Sequence, residues 1–156
     1  MSMNKTPASQ ENSSRKAVSY RRVSSIQQRE QGFSLPAQEE MHEAYAKSSG
    51  LEIVEVFEEA KSAKKAGRAE FNKMVDYFRL QEKLPADKRV KILLVEKIDR
   101  LGRNFKDIVL IDDLMKSMDL ELHAIRDHQV ICKNSSPSDK LLFDIQVAMA
   151  KNYIEN

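Results

Sequence analysis

The run Val90-Lys91-Ile92-Leu93-Leu94-Val95 constrains the fold of this chain more than any other stretch. It is short and nearly wholly apolar, as strands buried on both faces of a parallel sheet are. Three further short runs carry strand patterns: Ala17 to Val23, Leu51 to Phe57 and Leu120 to Ile125. Val130-Ile131 is a candidate fifth. Between the runs lie longer stretches with helical periodicity. The first has Ser34 as N-cap and Pro36 in its opening turn, and Gly50 stops it after Ser49. Its apolar positions are Leu35, Met41, Ala44 and Tyr45. The second opens at Arg68, carries Phe71, Met74, Val75 and Phe78, and ends near Leu80. The third spans Phe105 to Met118, and the last begins at Ser138, after the turn residues Asn134 to Pro137.

The resulting order is β-α-β-α-β-α-β-(β)-α. Strands alternating with helices imply an α/β fold of three layers, with a mostly parallel sheet covered by helices on both faces. Periodicity does not order the strands. The 156 residues suit one domain with a real core, since 41% are hydrophobic. Residues 1–16 are polar and aperiodic and read as a flexible leader.

Composition excludes several function classes. The single cysteine, Cys132, rules out an internal disulfide framework and a cysteine-based zinc site. Its plainest role is a small buried hydrophobe after Val130-Ile131. There is no apolar run of membrane-spanning length and no signal-peptide core, so a cytoplasmic protein without a membrane partner is expected. The net charge of +2 is nearly balanced, which argues neither for nor against nucleic acid. Only four glycines occur and no phosphate-binding loop pattern is present, which disfavours a nucleotide hydrolase or phosphatase on the same sheet.

The polar residues at strand ends carry the chemistry. In Tyr20-Arg21-Arg22-Val23-Ser24-Ser25 the strand pattern runs out into a polar loop. Residues two apart share a face, so Tyr20, Arg22 and Ser24 point the same way. A hydroxyl nucleophile then lies beside a guanidinium at the carboxyl end of a strand, where ligands sit in open α/β sheets. The central run is likewise followed by Glu96-Lys97-Ile98-Asp99-Arg100-Leu101-Gly102-Arg103. Arg68 follows the lysine-rich loop of Lys61, Lys64 and Lys65. One serine among arginines suits a tetrahedral phosphorus substrate better than an acyl group. Taken singly, each residue also has a plain structural role: Ser24 as a cap, Arg22 and Arg68 as surface ion-pair partners, Asp99-Arg100 as an ion pair within a loop.

Tyr20-x-Arg22-Val23-Ser24 followed by Gln28, together with Asp99-Arg100-Leu101-Gly102-Arg103, resembles the serine site-specific recombinases: resolvases, invertases and large serine integrases. Gly32-Phe33-Ser34-Leu35-Pro36-Ala37-Gln38 is similar to the large-recombinase branch. The resemblance runs from about Ala17 to the end. It implies a sheet of order 2-1-3-4 with an antiparallel fifth strand, residues 17–137 as catalytic domain, and 138–156 as the start of a helix leading to DNA-binding domains. It implies Ser24 as nucleophile, forming a 5′-phosphoserine with DNA, and Arg22, Arg68, Arg100 and Arg103 around the phosphate. Asp99, Tyr20 and Gln28 are implied supporting residues. DNA is the expected partner, together with further copies of the chain as a dimer and then a tetramer. No cofactor and no catalytic metal are expected, because the arginines supply the charge that Mg²⁺ supplies elsewhere.

The chain departs from the family at Phe57-Glu58-Glu59, where an aspartate is usual two residues after the phenylalanine. Glu59 keeps the charge with one more methylene and is included in the candidate site. Ser62-Ala63 stands where a Ser-Gly pair is usual, and alanine resists positive φ. The acceptor of the serine proton stays open, since His42, His123 and His128 lack triad-like support. The competing expectation is a non-catalytic oligomerisation module of a DNA-binding protein.

Overall fold

The apolar run does form the strand at the centre of the molecule. In β3 (Ile92–Val95) all four side chains are buried. The computed structural model describes residues 15–24, 35–61, 69–98, 101 and 105–155. Around β3 stand β1 (Arg15–Ser24), α1 (Leu35–Ser48), β2 (Leu51–Lys61), α2 (Ala69–Glu82), α3 (Phe105–Met118), β4 (Glu121–Ala124), β5 (Gln129–Ile131) and α4 (Pro137–Glu155). The strands form one sheet of order β2-β1-β3-β4-β5. All neighbours pair in parallel except β4 and β5, which are antiparallel. This is the order and polarity that the family resemblance implied.

Helices cover both faces unequally. On one face α2 contributes Phe71, Met74, Val75 and Phe78, α3 contributes Ile111, Leu114, Met115 and Met118, and α4 contributes Phe143 and Val147. They pack on Val18, Tyr20, Phe57, Leu93, Val95 and Leu122. The other face is covered by α1, with Ala46 and Tyr45 packed near Ala17, Ile92, Leu94 and Ile53.

Several boundaries differ from the sequence expectation, each for a local reason. β1 begins at Arg15, and β2 continues to Lys61 instead of turning into a loop after Phe57. The two strands pair from Arg15↔Leu51 to Ser24↔Lys61, with one slip, so the ladder satisfies backbone groups even where side chains are charged. α4 begins at Pro137, one residue early: proline suits the first helical position, and Ser136 Oγ accepts from Asp139 N at 3.2 Å. Gly50 ends α1 with φ +68, as expected. Ser34 lies outside the described residues.

β2 does not alternate simply. Its pairing with β1 slips between Ala17↔Ile53 and Val18↔Glu55. Leu51 and Ile53 therefore face α1, whereas beyond the slip Phe57 faces the larger core with Tyr20. Without the extra residue, strict alternation would send Phe57 and Glu59 to the α1 face.

α1 also corrects its expected buried stripe. Its buried residues are Gln38, His42 and Ala46, whereas Ala44 is exposed and Leu35, Met41 and Tyr45 are half-buried. The reason is the strand beneath. β1 presents Ser19 and Arg21 to this face, both buried, and buried polar groups require partners. Arg21 Nε donates to Ser19 Oγ at 3.0 Å, and Arg21 Nη1 pairs with Glu58 Oε1 at 2.9 Å. Ser19 Oγ lies 2.7 Å from His42 Nδ1.

Burial, reinforced by the Arg21 guanidinium, pushes the His42 imidazole from its ordinary 6.5 down to about 3. The unfolded chain therefore takes up a proton across this window that the folded chain refuses. The associated stability is complete above about pH 6.5 and is lost as pH falls toward about 3, by up to about 1.4 kcal/mol per pH unit. Denaturant unfolding between about pH 7 and pH 4.5 should show a steeper loss for wild type than for His42→Asn. Equal slopes would contradict the buried neutral ring.

Candidate active site

The carboxyl ends of β2, β1 and β3 lie on one edge of the sheet, because the three strands are adjacent and parallel. The stretches singled out in the sequence leave from that edge. Ser24 is the last residue of β1. The segment leading to Arg68 follows β2, and Asp99 to Arg103 follow β3 in sequence. Gln28, Arg68, Asp99, Arg100 and Arg103 lie outside the described residues, and Ser24 is placed by its backbone, opposite Lys61. Tyr20, Arg22 and Glu59 are placed more fully.

Tyr20 and Glu59 form a buried pair. The phenol donates to Glu59 Oε2 at 2.5 Å, and its ring meets Phe71 edge-on at 5.8 Å between centroids. Glu59 stands opposite Arg22 in the β1–β2 register, so the carboxylate shares the face of Tyr20 and Arg22. Its second oxygen, Oε1, is buried with no hydrogen-bond partner among the described residues. Such an oxygen can accept one more donor, which is what bracing an arginine requires.

Arg22 is held through its backbone. β1 pairs with β3 only as far as Ser19↔Leu94. Beyond that point the groups of β1 that face β3 lose their ladder. Gln38 takes over: its Oε1 accepts from Arg22 N at 3.2 Å, and its Nε2 donates to Arg22 O at 3.1 Å. One amide side chain from α1 thus stands in for a strand residue. The neighbouring Arg21 faces the opposite way, into the buried network under α1. Adjacent arginines on a strand must diverge, so only one can serve the edge.

The end of β3 is also tied down. Ile98 N donates to Asp127 Oδ2 at 2.9 Å, and Leu101 N donates to Ile98 O at 3.0 Å. Glu96 is buried, 3.1 Å from Arg126 Nε.

His42 and His123 do not join this edge as bases. Ser19 and His42 have the spacing of a nucleophile and its base, yet both are 0% exposed beneath α1. His123 Nδ1 pairs with Tyr45 Oη at 2.7 Å. Among the described residues no cluster of three or more His, Cys, Asp or Glu side chains is arranged to hold a metal ion. No helix of the described residues is long and apolar enough to cross a membrane.

Gln38, Glu96 and Asp127 were not singled out from the sequence. The spacing Gln38, His42, Ala46 is a buried helical stripe, but two of its members are polar and mimic a solvated face. Asp127 sits in turn chemistry between two short strands, where an aspartate is unremarkable.

The model of the resolvase N-terminal domain family matches residues 17–156. No match is found among curated proteins. Among solved structures, a resolvase family site-specific recombinase from Streptococcus pneumoniae is 29% identical, with TM-score 0.66 over 90% of this chain and 89% of that one. The N-terminal catalytic domain of TP901-1 integrase is similar in fold, at 24% identity and TM-score 0.66, over 90% of this chain and 97% of that one. So is the C-terminal catalytic domain of ISC1926 TnpA, an IS607-like serine recombinase, at 20% identity and TM-score 0.53, with the same coverages of 90% and 97%.

The Tyr20–Glu59 pair yields a stability prediction. Tyr20→Phe leaves a buried carboxyl group without its donor and should lower the unfolding free energy by about 1–3 kcal/mol. Adding Glu59→Leu should recover part of that loss, because an apolar pair leaves nothing unsatisfied. Additive losses in denaturant titrations would contradict a direct pair.

Proposed function

Because the chain belongs to the resolvase N-terminal domain family, we propose that it is the catalytic domain of a serine recombinase that cuts and rejoins DNA through Ser24. The observation that carries this reading is the common edge of β2, β1 and β3, from which Ser24 and the arginine-bearing segments all leave.

In this mechanism the Ser24 hydroxyl attacks a DNA phosphorus in line. The Oγ–P bond forms and the bond from phosphorus to the 3′ oxygen breaks. The serine proton is lost to a base or to solvent, and the departing oxygen gains a proton to become a free 3′-hydroxyl. Charge builds on the non-bridging oxygens, where Arg22, Arg68, Arg100 and Arg103 offer forked, charge-assisted donors. The same cations favour the serine alkoxide. Asp99 orients an arginine or protonates the leaving oxygen, and Gln28 contacts the phosphate. Tyr20 and Glu59 form the floor, with the free Glu59 oxygen bracing a guanidinium. The phosphoserine keeps the energy of the broken bond, so attack by a 3′-hydroxyl rejoins DNA without ATP. A DNA substrate sets this work in the cytoplasm of a bacterium, on behalf of a mobile element or phage.

Self-association is part of the proposal. α4 buries Phe143 and Val147 against its own domain and leaves Leu141, Leu142, Ile145 and Met149 at 46–60% exposure. Leu141, Ile145 and Met149 recur every fourth residue, so they form one stripe suited to the same stripe on a second copy. Replacing all three by Gln should shift the chain toward monomer in sedimentation at concentrations where wild type associates, with the thermal midpoint unchanged at dilutions where both are monomeric. Identical association would remove α4 from the interface.

The decisive experiment is covalent trapping. The full-length gene product is incubated with candidate attachment-site DNA in EDTA, denatured and digested. The expected result is a DNA adduct on Ser24, absent from Ser24→Ala. An adduct on another residue, or one that requires a metal, overturns the mechanism. Binding and assembly without any adduct favour a non-catalytic oligomerisation module.

A further inference from the structure

We infer that Asp127 is a positioning residue that fixes the backbone at the start of the segment carrying Asp99 and Arg100. The role in catalysis rests on the functional reading above. The anchoring rests on geometry alone.

β3 stops at Val95, and among the described residues no strand pairs with the chain beyond it. The turn between β4 and β5 supplies the partners instead. Ile125 N donates to Val95 O at 3.0 Å, and Arg126 N donates to Glu96 O at 2.8 Å. These two bonds carry the β3–β4 ladder past the end of both strands. Arg126 also meets the buried Glu96 carboxylate at 3.1 Å. Asp127 then reaches further along the chain and accepts from Ile98 N at 2.9 Å. Ile98 and Leu101 are both buried and are bonded to each other. Asp99 and Arg100 are the two residues between them in sequence.

The turn is suited to this task. His128 has a left-handed φ of 52 and its N–H closes on Ile125 O at 3.2 Å, so the turn is tight. Its base is β4, with Leu122 and Ala124 buried in the core. Asp127 therefore projects from a rigid support, as preorganised sites require. Asp127 is an exposed residue, so truncating it opens no core cavity. A guanidinium displaced by about 1 Å from a reacting phosphate loses about 10- to 100-fold in rate.

The test compares Asp127→Ala with Asp127→Asn, which retains an acceptor oxygen. Amide hydrogen exchange on the 156-residue chain should be at least about 10-fold faster over Glu96 to Leu101 in Asp127→Ala, unchanged in β1 and α2, and near wild type in Asp127→Asn. In single turnover with saturating attachment-site DNA, adduct formation should fall about 10- to 100-fold in Asp127→Ala, with half-saturating DNA unchanged, and recover in Asp127→Asn. Unchanged exchange over Glu96 to Leu101, or loosening throughout the domain, overturns the anchoring. Loosened exchange with a wild-type adduct rate overturns the catalytic role. A wild-type protein that forms no adduct overturns the recombinase reading, while the exchange data still decide the anchoring.

Discussion

Everything at the candidate site depends on β1 running parallel between β2 and β3. Parallel neighbours bring their carboxyl ends to one edge, so three separate stretches of sequence converge without any local signal linking them. The same arrangement creates a difficulty. β3 is short and β1 is long, so β1 runs beyond its ladder with β3 and its backbone there needs other partners. Gln38 meets part of that need at Arg22. On the other side of β3, the turn between β4 and β5 pairs the backbone that follows β3 itself, through Ile125, Arg126 and Asp127. The edge is thus fixed by side chains and turns brought in from other elements, which leaves its residues room to face a ligand.

The slip in the β1–β2 ladder has a consequence of equal weight. One extra residue near Val54 turns the second half of β2 over and sets Phe57 and Glu59 beside Tyr20. Glu59 is where the chain departs from the aspartate usual in its family. A longer acid seated against a tyrosine can keep one oxygen for the phenol and leave the other, buried, to accept a second donor. The substitution is therefore accommodated by packing, and the charge at this position is retained.

α1 shows how a polar core can still specify one arrangement. Ser19, Arg21, His42 and Glu58 form a connected network beneath a single helix. It contributes less hydrophobic stabilisation than the opposite face, where three helices pack on the sheet. In exchange it fixes the rotation of α1, because only one setting places His42 over Ser19 and Gln38 over Arg22. The seating of α1 and the placement of Arg22 are one problem, solved by neighbouring residues on the same stripe.

Much of this was legible in the sequence. Strand–helix alternation gives the α/β class, because periods of 2 and 3.6 are local properties of the chain. The two motifs, at Tyr20 to Ser24 and Asp99 to Arg103, identify the family. Other features were not legible, for physical reasons that can be named. Glu58, Glu59 and Lys61 looked like loop, since charge masks a strand whose ladder partner lies 37 residues away in sequence. Gln38 and His42 fell outside the apolar stripe expected of the first helix, since helix periodicity does not reveal that the strand below is polar. Asp127 carries no mark of its role, since nothing nearby in sequence announces that the Ile98 amide needs an acceptor. The sequence by itself determined the elements, the family and the residues available for chemistry. Only the tertiary structure decided which face each residue takes and which backbone groups need a partner, because both follow from where neighbouring strands begin, slip and stop.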